Sequence, residues 1–174
     1  MQWAKRQTGF TIVELLITVV VIAVLAAVVI VAYGGIRDQA NIAKIKSDLT
    51  QLQKAVMVAR NNTGKTFIGI SGTGYTASSC VSKAAGTDLA ALSKSDDCWA
   101  RYATTLDLIS NASSMDIRQL ADPWGRPYFI DENEGEGGGC GTDTTGVYTV
   151  PFNGTSRIPE TVTSIPKSGN SGCS

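Results

Sequence analysis

The chain has 174 residues, of which 43% are hydrophobic, and its 15 Lys and Arg balance 15 Asp and Glu. This composition favours one domain of ordinary size with a packed core, excludes global disorder and gives no sign of a specific nucleic-acid partner. The absence of histidine excludes serine–histidine and cysteine–histidine hydrolases and imidazole zinc sites, so we expect no catalytic residues and no enzyme.

The first predicted elements are a short basic leader, residues 1–9, and an apolar helix, residues 10–33. Residues 15–33 contain no charged side chain. A helix of this length reaches roughly 28 Å, about the hydrocarbon thickness of a bilayer. Because Lys5 and Arg6 precede the run, the N-terminus is expected to stay in the cytoplasm. The pattern predicts a single-pass membrane precursor.

An amphipathic continuation of the same helix is predicted over residues 34–62, so that one helix runs from about Phe10 to Asn61. Its apolar stripe recurs every three or four residues at Ile42, Ile45, Leu49, Leu52, Val56 and Ala59. Gly34 and Gly35 mark the junction with the apolar half, where either a kink or a tight helix crossing is expected.

Residues 63–174, here called the head, are predicted to fold outside the cytoplasm. The predicted class is α+β, with the long N-terminal helix packed on a small head of short helices and a small antiparallel sheet. The predicted head elements, in chain order, are a strand at 66–70, a short helix at 88–92, a helix of about 12 residues around Trp99–Ile109, a very short helix at 114–120, and strands at 127–130, 147–150 and 161–165.

Four cysteines, all in the head, form no C-x-x-C pair. An even number of cysteines beyond a membrane segment indicates an oxidising exterior and two disulfides. Three connectivities are open, and we favour Cys80–Cys98 with Cys140–Cys173 because each pair flanks one variable-looking stretch. Four free thiols in a reducing compartment are the alternative.

Two residues near the start of the apolar run have unusual positions. Gly9 stands between the charged leader and the apolar segment, where a protease can bind an extended backbone, and Glu14 lies inside that segment. An ionisable group there needs a partner. Cleavage after Gly9 would create one, because the new α-amino group of Phe10 can neutralise Glu14 of a neighbouring copy. Such a pair would set the stagger of helices packed side by side.

The segment Gly9-Phe10-Thr11-Ile12-Val13-Glu14-Leu15-Leu16 strongly resembles the N-terminus of type IV pilins and of type II secretion pseudopilins. The resemblance implies cleavage between Gly9 and Phe10 by a membrane prepilin peptidase and N-methylation of Phe10. It also implies assembly through Glu14 into a helical filament with the apolar helices in its core. The helix-kinking proline of many pilins is replaced here by Val31. A charged residue in a plain signal anchor, or an ordinary signal peptide cleaved near Gly34, are the alternatives.

A second resemblance links Asp122-Pro123-Trp124-Gly125-Arg126-Pro127-Tyr128 to the D-P-W-G-x-P-Y stretch of major pseudopilins, in which calcium orders the following loop. Here that loop, Asp131–Gly146, is called the acidic loop. Its five carboxylates repel one another, which calcium would relieve. The expected calcium ligands are Asp131, Glu132, Glu134, Glu136 and Asp143; a solvated loop without a cofactor is the alternative.

These features predict a structural filament subunit that begins as an inner-membrane precursor and ends in a cell-surface filament. Its expected partners are other copies of the chain, a prepilin peptidase and methyltransferase, and the pilus or secretion assembly machinery. The alternatives are a major pseudopilin of a type II secretion-like system, a subunit of a DNA-uptake pilus, and a membrane-anchored binding module that never polymerises.

Overall fold

The computed structural model describes residues 9–134, 141–153 and 163–166. Within these ranges the elements are α1 (Ile12–Thr63), α2 (Phe67–Ser71), α3 (Ser78–Val81), α4 (Asp97–Ser113), β1 (Phe129–Asp131), β2 (Thr144–Gly146) and β3 (Thr163–Ser164). The chain divides into two compact units, residues 1–41 and 42–174, and α1 contributes to both. The predicted α+β class is confirmed.

The first unit is the N-terminal part of α1. Its apolar side chains are exposed from Phe10 to Ile30, for example Ile12, Leu25 and Ile30. In the described part of the chain, α1 is the one helix long and apolar enough to cross a membrane, with a mean hydropathy of 3.4 over its most apolar window. Exposed apolar surface of this extent is stable in lipid or against other apolar helices, but not in water.

The second unit is built on the remainder of α1. Ile45, Leu49, Leu52, Val56 and Ala59 are buried as the periodicity predicts. They form one core cluster with side chains of α4 and of the sheet, including Tyr102, Leu106, Ile109, Ile130 and Val147. Ile42 is half exposed, contrary to its place in the predicted stripe. It is the first residue of this unit, so the stripe is covered only from the next turn onward.

The three strands form an antiparallel sheet in the order β1-β2-β3. Phe129 pairs with Gly146 and Asp131 with Thr144. Alternate residues of a strand point to opposite faces. Ile130 accordingly enters the core beside α1, whereas Phe129 packs in a second cluster with Cys80, Leu89, Cys98, Tyr148 and Phe152.

Three head elements predicted before residue 121 are wrong, and a side-chain contact or the backbone conformation explains each. Residues 66–70 were expected to be a strand, but Thr66 caps α2 by accepting a hydrogen bond from the amide of Gly69 (3.2 Å). Residues 88–92 form turns, because the Thr87 hydroxyl donates to the carbonyl of Ala84 instead of capping a helix. Ser114 does not begin a helix: its φ of 59° ends α4.

Other elements exist where they were expected but with different ends. The helix around Trp99–Ile109 is α4, 17 residues long, because Asp96 accepts the amide of Cys98 (2.9 Å) and starts the helix earlier. The strand predicted at 147–150 is also wrong: the strand that pairs with β1 is β2, which ends at Gly146, before the predicted range begins. The sequence pattern did not predict α3.

Candidate functional site

The start of the described chain is accessible. Gly9 and Phe10 precede α1 and are exposed, with 81% of Phe10 in contact with solvent. A Cβ added to Gly9 would meet no atom within 4 Å. A larger residue at this position would therefore leave the fold of the chain unchanged. It would affect only the binding of another protein to this segment.

Thr11 and Glu14 form a reciprocal cap at the start of α1. The Thr11 hydroxyl accepts a hydrogen bond from the amide of Glu14 (3.2 Å), and the Glu14 carboxylate accepts hydrogen bonds from the amide and the hydroxyl of Thr11 (2.9 and 2.8 Å). This is a capping box, with the acidic residue also favoured by the positive end of the helix dipole. Within one chain, then, Thr11 holds the carboxylate that the sequence singled out.

The comparison with protein families identifies the N-terminal segment that contains Gly9, Phe10 and Glu14. A family described as the prokaryotic N-terminal methylation motif matches residues 4–30. Residues 4–30 carry the prepilin motif. It is the motif of type IV pilins and pseudopilins, and the matched range includes Gly9, Phe10, Glu14 and most of the apolar run. No curated protein and no solved structure matches the chain.

The prepilin motif confirms the resemblance predicted from the N-terminal residues. The motif and the apolar helix fit a membrane-anchored precursor. The match ends at residue 30 and does not include the head, so the head is described from its structure.

One disulfide joins two elements of the head. Cys80 of α3 and Cys98 of α4 are bonded, and both are buried. This is one of the two favoured pairs. The other, Cys140–Cys173, lies outside the described residues and stays a prediction.

The first buried carboxyl of the acidic loop is Glu132. It accepts hydrogen bonds from the amide of Thr76 (2.8 Å) and from the Thr76 hydroxyl, which also contacts the hydroxyl of Thr105. Burial raises its pKa to about 7, against the lowering effect of these hydrogen bonds and of one from Ser71. The side chain therefore carries a proton over part of the physiological pH range.

Arg60 of α1 lies between two further carboxylates of the acidic loop, both buried. Its guanidinium donates to Glu134 (2.6 Å), to Asp143 and to the carbonyl of Pro166. The other oxygen of Asp143 accepts the amides of Asn133 and Glu134 (2.7 and 2.8 Å). Burial raises the pKa of Asp143, while these amides and Arg60 act in the opposite direction.

The sequence reasoning missed Arg60, since it considered the acidic loop without the helix that packs beside it. The helical spacing of Arg60 would have predicted its burial. Arg60 follows Val56 at a spacing of four, so it lies on the buried stripe of α1 and not on its polar face. A charged residue on a buried stripe needs a partner of opposite charge, and the acidic loop supplies two.

The four expected calcium ligands that the structure describes lie in three different environments. Glu132 faces Thr76, Glu134 and Asp143 share Arg60, and Asp131 ends β1 half-buried. In residues 9–134, 141–153 and 163–166 no group of three or more acidic, cysteine or histidine side chains is placed to hold a metal ion. Glu136 lies outside these ranges, and calcium stays a prediction.

The D-P-W-G stretch forms a tight turn. Asp122 accepts the amides of Trp124 and Arg126 (3.0 and 2.8 Å) and pairs with the Arg126 guanidinium. Gly125 makes the turn with a φ of 78°. Arg126 also donates to the carbonyls of Tyr148 and Thr149 (2.9 and 2.8 Å), which fixes the turn to the segment after β2.

Proposed function

We propose that the chain is a structural subunit, a prepilin that is cleaved after Gly9, N-methylated on Phe10 and assembled into an extracellular type IV pilus-like filament. The observation that carries the proposal is the prepilin motif at residues 4–30. The accessible Gly9 and Phe10 support processing by a prepilin peptidase, and the exposed apolar surface of α1 supports burial among other copies in a filament core.

Glu14 is the residue that would set the position of one subunit against the next. Its cap with Thr11 satisfies hydrogen bonds but brings no positive charge. In an apolar filament core, the α-amino group of a neighbouring Phe10 would neutralise the carboxylate. A misplaced subunit would leave both charges unpaired in a medium of low dielectric, which is strongly unfavourable.

Processing is tested by expressing the chain in membranes with and without a prepilin peptidase and measuring its intact mass and N-terminal sequence. We expect methylated Phe10 as the first residue with the peptidase, and a Met1 start without it. Gly9→Val should remain uncleaved while the chain still folds, because the added side chain meets open space. Normal maturation of Gly9→Val would refute the cleavage assignment.

Assembly is tested with two variants of the capping box. Glu14→Gln removes the charge and keeps a hydrogen-bond acceptor, so we expect normal processing and loss of sheared surface fibres. Thr11→Ala removes the cap and keeps the charge, so it serves as the matched control and should still assemble. If Glu14→Gln made as many fibres as the unaltered chain, the pairing role of Glu14 would be wrong.

A second candidate function is that of a major pseudopilin in a type II secretion-like system. The D-P-W-G turn favours it, since this stretch resembles that of major pseudopilins. A DNA-uptake pilus and a membrane-anchored module that does not polymerise would carry the same N-terminal chemistry. Fibres sheared from wild-type cells favour the pilus; processed protein confined to the cell envelope favours the pseudopilin.

A further inference from the structure

A cavity of about 390 Å³ opens on the surface of the head. Its walls are residues 86–90 from the loop closed by the Cys80–Cys98 disulfide, Trp124 and Arg126 of the D-P-W-G turn, and residues 150–152 after β2. The volume lies in the range typical of small-molecule sites. The lining contains neither the prepilin motif nor the acidic loop, so the cavity is separate from the function proposed above.

The walls of this cavity are held in place by contacts behind them. The amide of Gly86 donates to the carbonyl of Phe152 (2.7 Å), and the indole N–H of Trp99 donates to the carbonyl of Leu89 (2.8 Å). Gly125 approaches Ala90 so closely that an added Cβ would lie 3.9 Å from the Ala90 Cβ. A ligand would therefore meet a preformed site and would lose little free energy to ordering it.

Two large apolar side chains of the lining are left in solvent. Trp124 is 40% exposed and Val150 is 55% exposed, although Leu89 and Phe152 beside them are buried. An aromatic ring held on a rigid turn and open to solvent is a stacking surface for an apolar ligand face. An exposed acid of the lining is Asp88, whose carboxylate accepts the amide of Ala90 (3.0 Å) and retains further acceptor capacity.

The charged side chains of the lining disfavour cationic, anionic and purely apolar ligands. The guanidinium of Arg126 already lies over the Trp124 ring, 5.1 Å from its centroid, so a ligand cation would gain less from the ring. An anion would be repelled by Asp88, while the Arg126 guanidinium already donates to Asp122 and two carbonyls. A purely apolar ligand would desolvate the carboxylate of Asp88 without replacing its hydrogen bonds.

We propose that this cavity binds a neutral saccharide. A pyranose ring has the required combination of properties, because its C–H face can stack on Trp124 while a hydroxyl donates to the carboxylate of Asp88. Val150 adds exposed apolar surface to the same lining.

The test uses the full chain in lipid nanodiscs, which avoids sugar-based detergents. Maltose, cellobiose and N,N′-diacetylchitobiose are the neutral probes, with sialyllactose as the anionic and chitosan disaccharide as the cationic counterpart. Binding is measured by saturation-transfer NMR and by the change in tryptophan fluorescence, with Trp124→Ala identifying the contribution of Trp124 among the three tryptophans of the chain. We expect at least one neutral disaccharide to bind at millimolar concentration or below, and both charged probes to bind more weakly.

Two variants assign the binding to this cavity. Trp124→Ala should weaken binding at least tenfold through loss of stacking. Asp88→Asn, which keeps an oxygen for the amide of Ala90, should weaken it roughly tenfold because a hydrogen bond to a charged group is lost. Asp97→Asn, an exposed acid outside the cavity, is the matched control and should bind as the unaltered chain does.

Three results would each overturn the proposal: no binding of any neutral probe at tens of millimolar, binding that Trp124→Ala and Asp88→Asn leave unchanged, or a charged probe that binds as tightly as the neutral ones. Because the unassembled chain is used, none of these results depends on whether it forms a filament.

Discussion

At the scale of single residues, the buried charged groups described in the second unit include the Asp122–Arg126 pair of the D-P-W-G turn and two sites in the acidic loop that differ in their chemistry. Glu132 is surrounded by hydroxyl and amide donors, whereas Glu134 and Asp143 share the guanidinium of Arg60. A carboxyl held by neutral donors is desolvated without a compensating charge, so its pKa rises. A carboxylate beside a guanidinium depends on that partner to remain buried.

Glu132 should make the folded state less stable as pH rises. Its pKa is about 7 in the folded chain and near 4.5 when unfolded, so between these values the folded state binds the additional proton and stability falls with pH. Glu132→Gln should remove this dependence and be more stable than the unaltered chain at pH 8 by up to about 3 kcal/mol. Urea unfolding at pH 4.5 and pH 8 measures this.

The exposed acid Asp97 provides the control, since Asp97→Asn should leave the pH dependence as it is. A Glu132→Gln chain that lost stability at pH 8 relative to the unaltered chain would show that the carboxylate itself is needed there.

Arg60 should be far more important for stability than an exposed cation of the same helix. Arg60→Met leaves Glu134 and Asp143 buried without their counter-charge, and we expect a loss of about 3–5 kcal/mol at pH 7. Adding Asp143→Asn should restore part of it. Lys54→Met is the matched control, because Lys54 is exposed on α1. Equal urea midpoints for Arg60→Met and Lys54→Met would contradict this role.

At the scale of elements, the periodicity of apolar residues correctly predicted the long helices, because packing against the core requires the same periodicity. The stripe from Ile45 to Ala59 and the helix around Trp99–Ile109 were both predicted, because burial on one face imposes a 3.6-residue period whatever the partner is. The spacing of Thr11 and Glu14 also fits a capping box, but from the sequence only an assembly role of Glu14 was predicted.

The short elements were decided by single contacts that sequence patterns do not contain. Thr66 and Thr87 are the same residue type before similar segments, yet the hydroxyl of one accepts an amide and that of the other donates to a carbonyl. The candidate site shows the same division. The roles of Gly9, Phe10 and Glu14 could be predicted because these residues lie close together and match a local sequence pattern, whereas Arg60 contacts Asp143 across 83 positions and no local pattern joins the two.

The disulfide between α3 and α4 should stabilise the head through the unfolded state. It closes a loop with a sequence separation of 18, and a loop of this length corresponds to about 3 kcal/mol in the chain-entropy model. The double variant Cys80→Ser with Cys98→Ser should lower stability by that amount, measured by urea unfolding. Reducing agent should destabilise the double variant less than the unaltered chain, because only the predicted Cys140–Cys173 bond is left to reduce in it; equal destabilisation of both chains would locate the effect outside Cys80–Cys98.

At the scale of the whole molecule, the two units have surfaces suited to different solvents. Residues of the first unit such as Val21 and Leu25 are half exposed or more and apolar, whereas the second unit buries most of its apolar residues in two clusters of its own. The second unit can therefore be stable in water, while the first requires lipid or apolar neighbours.

This division predicts that charge is tolerated on α1 in one unit and not in the other. Val21→Arg with Leu25→Arg adds about 5–7 kcal/mol to the free energy of membrane insertion and should sharply reduce the carbonate-resistant membrane fraction. Ile42→Arg with Met57→Arg alters equally exposed apolar residues of α1 in the second unit and should leave that fraction unchanged. If the two double variants partitioned alike, the apolar run would not be the membrane anchor. If only the first lost its membrane fraction, hydrophobicity of the first unit alone would hold the precursor in the bilayer.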